Sequence, residues 1–320
     1  MEKSKTIDLL TIGDVCIDLY MKVEGEEVSE DKDPKHPKIC FYHGSKIPVK
    51  SLKSNIAGNA VNVSISATKL GLKTAVYSEM GDDEEADRIK RELSEEGVIT
   101  DFLRRNKGSL TGIHPVIVYQ GERTIFSHHE KRPYKLQAWP KPRWIYYTSV
   151  GPGFETFQAE LVDYLKGSPG IGVAFNPGTF HLRAGLGGLA NILEVTHILF
   201  LNREEAENLV GDGSMESMHL KLRKLGPKLT VITEGNSGAS AHDGKEMIKV
   251  PAYEMDAPIL DKTGAGDAFA SSFLSAIFHG KHLKEALYWG TINSSSTIRD
   301  VGAVNGLRTI EEIEKMVRGI

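Results

Sequence analysis

The sequence predicts an α/β fold, a doubly wound and mostly parallel sheet with helices on both faces, plus a small β-sheet lid. Three observations lead there. Short apolar runs alternate with amphipathic helical spacing from residue 55 to about residue 300, the rhythm of βαβ units. The first run, Ile7 to Ile12, stops at Gly13 as a first strand of a parallel sheet would. Two segments, 19–54 and 111–129, break the rhythm with charged and then strand-like sequence, and the simplest packing joins them in one small sheet.

Strands are expected near 7–12, 74–78, 144–149, 171–175, 197–201 and 229–233. After the first come Gly13, Asp14 and, four residues on, Asp18: a turn carrying two exposed acids, with Cys16 between them as a small packing residue. Helical spacing at Val61, Ile65, Thr68 and Leu72, a strand at 74–78 and an acid-rich helix at about 83–96 make a β-α unit. The first rhythm-breaking segment reads EGEEVSEDKDPKHPK, then KICFYHG and KIPVKSL; the second, TGIHPVIVYQGERTIFSHH, alternates around the hairpin signal QGER. Strand-turn-helix units follow at 149–165 and 174–188, and ILFLNREEAENLV puts an apolar strand before Asn202 and Glu205. GLGG at 185–188 lies inside a helical pattern, so it is not read as a dinucleotide loop. The expected division is a main α/β domain (1–18, 55–110, 130–320) and a lid (19–54, 111–129).

Composition narrows the function classes. A chain of 320 residues, 40% hydrophobic and 26% charged, can bury a large core. A formal net charge of −4 gives no reason to expect nucleic acid or an anionic membrane as partner. Two cysteines, Cys16 and Cys40, make neither a disulfide framework nor a zinc site by their spacing. The first residues lack the apolar run of a signal peptide and no stretch approaches ~18 apolar residues, so the expected location is cytoplasmic.

The stretch DKTGAGDAFASSF, 261–273, carries the most chemistry. Apolar residues at Ala265, Ala268, Phe269, Phe273, Ala276 and Ile277 define a core-facing helix at roughly 265–279, so its N-terminus falls on Gly264, Ala265 and Gly266. The first N–H groups of a helix have no intrahelical partner and carry the positive dipole end, and residues this small let a phosphoryl group approach. Asp267 in that turn is placed to take a proton from an attacking hydroxyl, with a pKa that the dipole should depress. Gly and Asp also serve as plain helix caps.

DKTGAGDAFASSF resembles the DTxGAGD signature of the ribokinase-like (PfkB) carbohydrate kinases, with Lys262 in place of the usual Thr. The resemblance implies a ribokinase-like fold, phosphoryl transfer from ATP with Mg²⁺, Asp267 as base and Gly264, Ala265 and Gly266 as anion hole. Other segments match in the expected order. The strand-end acids Asp14 and Asp18 correspond to sugar-binding residues. AGNAVN is similar to GGNxxN, with Ala57 for the first Gly, and implies acceptor contacts from Gly58 and Asn59, with Asn62 added. SEMGDD matches a strand-end turn. Asn202 and Glu205 match NxxE, Asn near the phosphates and Glu holding Mg²⁺ through water. VITEGNSGA is similar to VTxGxxGA and implies Thr233, Gly235 and Gly238 beside the ribose and phosphates, with Glu234 a departure. Asn293 corresponds to an adenine contact, and Asp261 with the turn near Gly302 to ligands of a monovalent cation such as K⁺.

The acceptor is less legible. A free sugar is the first reading; a nucleoside or sugar acid, or a sugar-sensing protein without turnover, are the alternatives. If two or three of Lys38, Lys46, Lys50, Lys53, Arg123, Lys131 and Arg132 converge on the pocket, the acceptor is anionic; otherwise they are solvated surface. His128 and His129 are read as lid surface, since no acid or Cys spacing supports a metal. Phe41, Tyr42, Tyr119 and Phe126 are read as the lid's apolar face rather than a base-stacking site. Asn176-Pro177 stands where many relatives have an Asp-centred turn. Lid strands in this family often pair across a homodimer. An oxidoreductase is disfavoured, because no GxGxxG follows the first strand.

Overall fold

The computed structural model of this chain describes residues 6–31, 33, 37–120 and 122–320. Residues 32 and 34–36 of the charged stretch, Gly121 of QGER and the first five residues lie outside them. In chain order the elements are β1 (Leu9–Ile12), β2 (Cys16–Val23), β3 (Val28–Asp31), β4 (Lys38–Phe41), β5 (Val49–Ala57), α1 (Asn59–Lys69), β6 (Thr74–Gly81), α2 (Glu84–Glu95), β7 (Ile99–Asn106), β8 (Gly112–Tyr119) and β9 (Glu122–Ile125). They continue with β10 (Trp144–Tyr147), α3 (Glu155–Lys166), β11 (Gly172–Phe175), α4 (Thr179–Val195), β12 (Ile198–Asn202), α5 (Arg203–Val210) and α6 (Met215–Arg223). The last are β13 (Leu229–Thr233), β14 (Ala239–His242), β15 (Met247–Val250), α7 (Ala265–Phe278), α8 (Leu283–Thr297) and α9 (Ile310–Val317).

Nine strands form the main sheet in the order β15-β14-β13-β12-β11-β10-β1-β6-β7. All pairings are parallel except β13 with β14 and β14 with β15. The strands are apolar on both sides because both faces are covered. Leu10, Ile12, Tyr147, Phe175 and Leu201 pack in the layer that holds Phe157 of α3, Leu189 of α4, Ala206 of α5 and Met218 of α6. Their neighbours in sequence, Leu9, Tyr146, Ala174 and Phe200, pack with Val63 of α1, Phe273 of α7, Trp289 of α8 and Ile313 of α9. Phe273 and Trp289 are wholly buried, and truncating such a residue to Ala costs about 3–5 kcal/mol.

From β1 the chain winds one way to β6 and β7, then crosses to β10 on the other side of β1 and winds back through β11, β12 and β13. Ligands of open α/β sheets sit at the carboxyl ends of the strands where the winding reverses, here the ends of β1 and β10.

A second, four-stranded sheet has the order β5-β2-β8-β9. Its strands differ from the expected 19–54 and 111–129: β2 starts at Cys16, β5 runs to Ala57 and β9 stops at Ile125. The KICFYHG segment does not join it, since β4 pairs with β3 in a separate two-stranded sheet. Val15, Ile17 and Ile56 root the second sheet against Ile65 of α1 and Ile89 of α2. Two further features depart from expectation. β7 forms an outer strand where the half-exposed sequence ITDFLRRN carries no continuous apolar run, and Gly185, at φ 63°, breaks the helical geometry inside α4.

Candidate active site

The site is built around the start of α7. Gly264, its N-cap, is in the left-handed region at φ 75°, and a Cβ there would lie 2.5 Å from the Cβ of Ala303. Only glycine fits that turn without strain. Among the described residues no side chain caps this end, so the N–H groups of Ala265, Gly266 and Asp267 are left for another partner. They border a cleft of about 220 Å³ lined also by Asn202, Glu205, Thr233 and Lys262. Gly266 faces open space, so its missing side chain keeps the helix end approachable.

Asp267 is 6% exposed. Nδ2 of Asn59 donates to its Oδ1 at 3.0 Å and Nδ2 of Asn62 to its Oδ2 at 2.8 Å. Burial pushes this carboxyl up to about 6, against the pull of the two amide donors. The expected depression is therefore reversed: removal of water from the charged form outweighs the favourable dipoles around it. Asn59 and Asn62, expected at the acceptor, aim their amides at Asp267.

Asp14 lies in the turn after β1, its N–H donating to Ser149 O beyond β10 at 2.6 Å. Oδ1 accepts from the Tyr134 hydroxyl at 2.8 Å and from the Gly151 N–H at 3.2 Å. Oδ2 is buried without a hydrogen-bond partner among the described residues, although Nδ1 of His129 stands 3.4 Å away. Gly58, the N-cap of α1 at φ 109°, presses on this turn, since a Cβ there would be 2.3 Å from the Asp14 carbonyl oxygen. The Asp14 turn and the Asp267 carboxylate thus meet through the first turn of α1. Asp18 does not sit exposed in that turn: it is buried on β2, as is Cys16, with His114 of β8 beside it.

On the other side of α7, a second cleft continues from the first along Thr233, Gly235, Gly238 and Phe269 to Thr291, Ser294 and Ser295 of α8. Asn202 and Glu205 form a reciprocal cap on α5: Asn202 Oδ1 accepts from Glu205 N–H, and Glu205 Oε2 accepts from Asn202 N–H, each at 2.8 Å. Burial pushes the Glu205 carboxyl up. Its other oxygen and the cleft beside it suit a hydrated Mg²⁺, which needs one or two carboxylates and keeps several waters. Glu234 is explained by ion pairs to Arg203 at 3.0 Å and Lys249 at 2.8 Å.

Two further expected residues are placed otherwise. Asn293 is wholly buried: its Nδ2 donates to Ser272 Oγ at 2.7 Å and its Oδ1 accepts from Arg308 N–H at 2.8 Å. Its amide ties α8 to α7 and does not reach the cleft, whose wall Ser294 and Ser295 supply instead. Asp261 is also committed. Oδ1 accepts from the N–H and hydroxyl of Thr263 at 2.8 and 2.6 Å, Oδ2 accepts from Gly302 N–H at 2.9 Å, and the Arg123 guanidinium pairs with the carboxylate. The Arg123 guanidinium thus meets Asp261 where the resemblance implies a monovalent cation. Tyr134, His114 and His129 were not assigned to the site, because nothing in their spacing points to β1.

Comparison with known proteins gives the family. Residues 6–310 match the pfkB family carbohydrate kinase model. The ATP-dependent 6-phosphofructokinase of Thermoanaerobacterium thermosaccharolyticum is 24% identical, covering 98% of this chain and 94% of that protein. The Methanocaldococcus jannaschii nucleoside kinase superposes with a TM-score of 0.77 at 19% identity, covering 98% and 99% of the two chains. An Arabidopsis thaliana ribokinase complexed with ribose and ATP gives the same score, identity and coverage. At such identities the structures speak for the fold alone, and the family match extends over nearly the whole chain: it belongs to the pfkB family of carbohydrate kinases, phosphotransferases that act on hydroxyl groups.

Proposed function

We propose that the chain transfers the γ-phosphoryl group of ATP to a hydroxyl of a small uncharged sugar. The observation that carries this reading is the Asp267 carboxylate, held by Asn59 and Asn62 between the uncapped start of α7 and the Asp14 turn. Asp14 Oδ2, with Asp18 and the Gly58 backbone, receives acceptor hydroxyls, since a buried oxygen without a partner is satisfied by an O–H donor. Asp267 accepts the proton of the attacking hydroxyl; with a pKa of about 6 it is mostly ionised at neutral pH yet basic enough to take it. The Ala265, Gly266 and Asp267 N–H groups face the charge that spreads over the transferring phosphoryl oxygens. The nucleotide lies along the Thr233, Gly235 and Gly238 cleft with its phosphates toward Asn202, and Glu205 would hold Mg²⁺, which supplies charge neutralisation when bound. The second sheet serves as a lid that excludes water from this transfer.

The basic residues argue for an uncharged acceptor. Lys38 pairs with Asp31, Lys50 with Glu24, Arg123 with Asp261 and Arg132 with Glu130. Lys131 lies along Gly153, and Lys46 and Lys53 are exposed. Of these residues Arg132 lines the cleft beside Asp14, and it is committed to Glu130, Ser109 and the Leu110 carbonyl.

An ADP-release screen with Mg²⁺ against free sugars, nucleosides, sugar phosphates and sugar acids tests the proposal. Turnover is expected with a free sugar. A sugar phosphate or sugar acid as the best substrate would overturn the uncharged acceptor, and sugar binding without turnover would replace the kinase by a sensor.

A further inference from the structure

The parallel register of β2 and β8 pairs Asp18 with His114, and puts Cys16 two residues away on the same face of β2. Three potential ligand atoms converge there. Cys16 Sγ lies 3.5 Å from His114 Nδ1, Asp18 Oδ1 lies 3.6 Å from the same nitrogen, and Sγ and Oδ1 are 4.0 Å apart. A tetrahedral ion with Zn–S near ~2.3 Å and Zn–N and Zn–O near ~2.0–2.1 Å holds its ligands roughly 3.3–3.6 Å apart, so the triangle is the right size within a few tenths of an ångström.

A Cys-His-Asp relay would also bring these residue types together, and the geometry separates the two. A relay uses one imidazole nitrogen for the acid and the other for the thiol. Here both the thiol and the carboxylate address Nδ1, which carries at most one proton and cannot serve both. One cation at the centre of the triangle satisfies all three at once.

We propose that Cys16, Asp18 and His114 form a binding site for a thiophilic divalent cation of the zinc class, separate from the magnesium of phosphoryl transfer. Three protein ligands leave a fourth position, as in open zinc sites, and two of them, Cys16 and His114, line a small cleft with Asp14 and His129. Binding forms a metal–sulfur bond and releases the Cys16 thiol proton to solvent. Thiolate and imidazole ligands discriminate against Mg²⁺, which prefers oxygen. Occupancy withdraws Asp18 from the acceptor, so the cation and the acceptor compete; this second half rests on the acceptor reading above, whereas metal binding itself does not.

The experiment titrates the full-length, chelator-treated protein with Co²⁺, then displaces it with Zn²⁺, in excess Mg²⁺. One equivalent is expected, with a thiolate-to-cobalt charge-transfer band. Cys16→Ser abolishes the band and His114→Gln weakens binding at least ~10-fold, in the range measured when metal-site groups are removed. Cys40→Ser, at the exposed second thiol, leaves it intact. No band in the folded protein, a band that survives in Cys16→Ser, or one that Cys40→Ser removes overturns the site. With an acceptor in hand, Zn²⁺ is expected to raise the apparent acceptor KM and leave the ATP KM unchanged; inhibition competitive with ATP would overturn the second half. Metal binding without turnover of any acceptor would sink the kinase reading alone, and turnover without metal binding would sink this inference alone.

Discussion

Asn62 donates its side-chain amide to Oδ2 of Asp267 at 2.8 Å, joining residues 205 positions apart. The contact positions the proposed base and favours its charged form. Replacing Asn62 with Leu removes a donor and the pull it exerts, so the Asp267 pKa rises further. The acid limb of the kcat–pH profile should move to higher pH, with kcat at neutral pH down by about 10–100-fold and both KM values little changed. An unshifted acid limb would show that Asn62 does not tune Asp267.

Asp267 also links activity to stability. Its native pKa of about 6 is above the value of 3.8 it would have when exposed, so between these pH values the native state holds a proton that the unfolded chain has released. Stability is therefore greatest below about pH 4 for this group and falls as pH rises to 6. The loss is on the order of 3 kcal/mol above pH 6. Asp267→Asn should abolish turnover by at least ~100-fold while keeping ATP binding, and the wild-type Tm should fall relative to it between pH 4 and 7. The slope of that difference is the readout, since any constant offset reflects amide packing; parallel curves would refute the linkage.

At the acceptor end, Asp14→Ala should raise the acceptor KM by at least about 10-fold and leave the ATP KM unchanged. Tyr134→Phe, which removes only the hydroxyl that orients Asp14 Oδ1, should do the same more weakly. A pure kcat effect in Asp14→Ala would contradict acceptor binding.

Arg123 and Asp261 form an ion pair where the family resemblance implies a monovalent cation. Activity should not depend on whether the buffer salt is K⁺ or tetramethylammonium. Removing the guanidinium strands the buried Asp261 charge, so Arg123→Ala should lose activity and regain part of it with K⁺. Full K⁺ dependence in the wild type would overturn this arrangement.

The two glycines that flank Ala265 should fail differently. Gly264→Ala meets Ala303 and a positive φ, so it should destabilise the fold by roughly 1–3 kcal/mol. A Cβ at Gly266 meets nothing within 4 Å, so in Gly266→Ala Tm should hold while the KM for ATP rises. Equal Tm losses in both would remove the distinction between a turn glycine and one that leaves room for phosphate.

The parts legible in the sequence were local. The apolar runs foretold five of the main-sheet strands almost to the residue because both faces are buried, and β7 escaped because its sequence is half-exposed. Small residues before Asp267 marked the α7 N-terminus, and the apolar run before Asn202 marked β12. Asn293 was misplaced because a polar residue on a helix reads the same whether it points into a cleft or bonds to a neighbouring helix. The Asp267 pKa was misjudged because dipole and sequence neighbours are local, whereas burial is not.

Segment character and the order of motifs thus follow from residue types and their periods, which are properties of neighbouring positions. Which groups face one another was settled by strand register and helix packing, long-range pairings that no local period encodes. The register of β2 with β8 brings Cys16, Asp18 and His114 together, although 96 residues separate the acid from the histidine. The packing of α1 on α7 puts Asn59 and Asn62 on Asp267, and the fold of the second sheet carries Arg123 to Asp261. Desolvation and charge pairing depend on those encounters, and so therefore does the chemistry of the site.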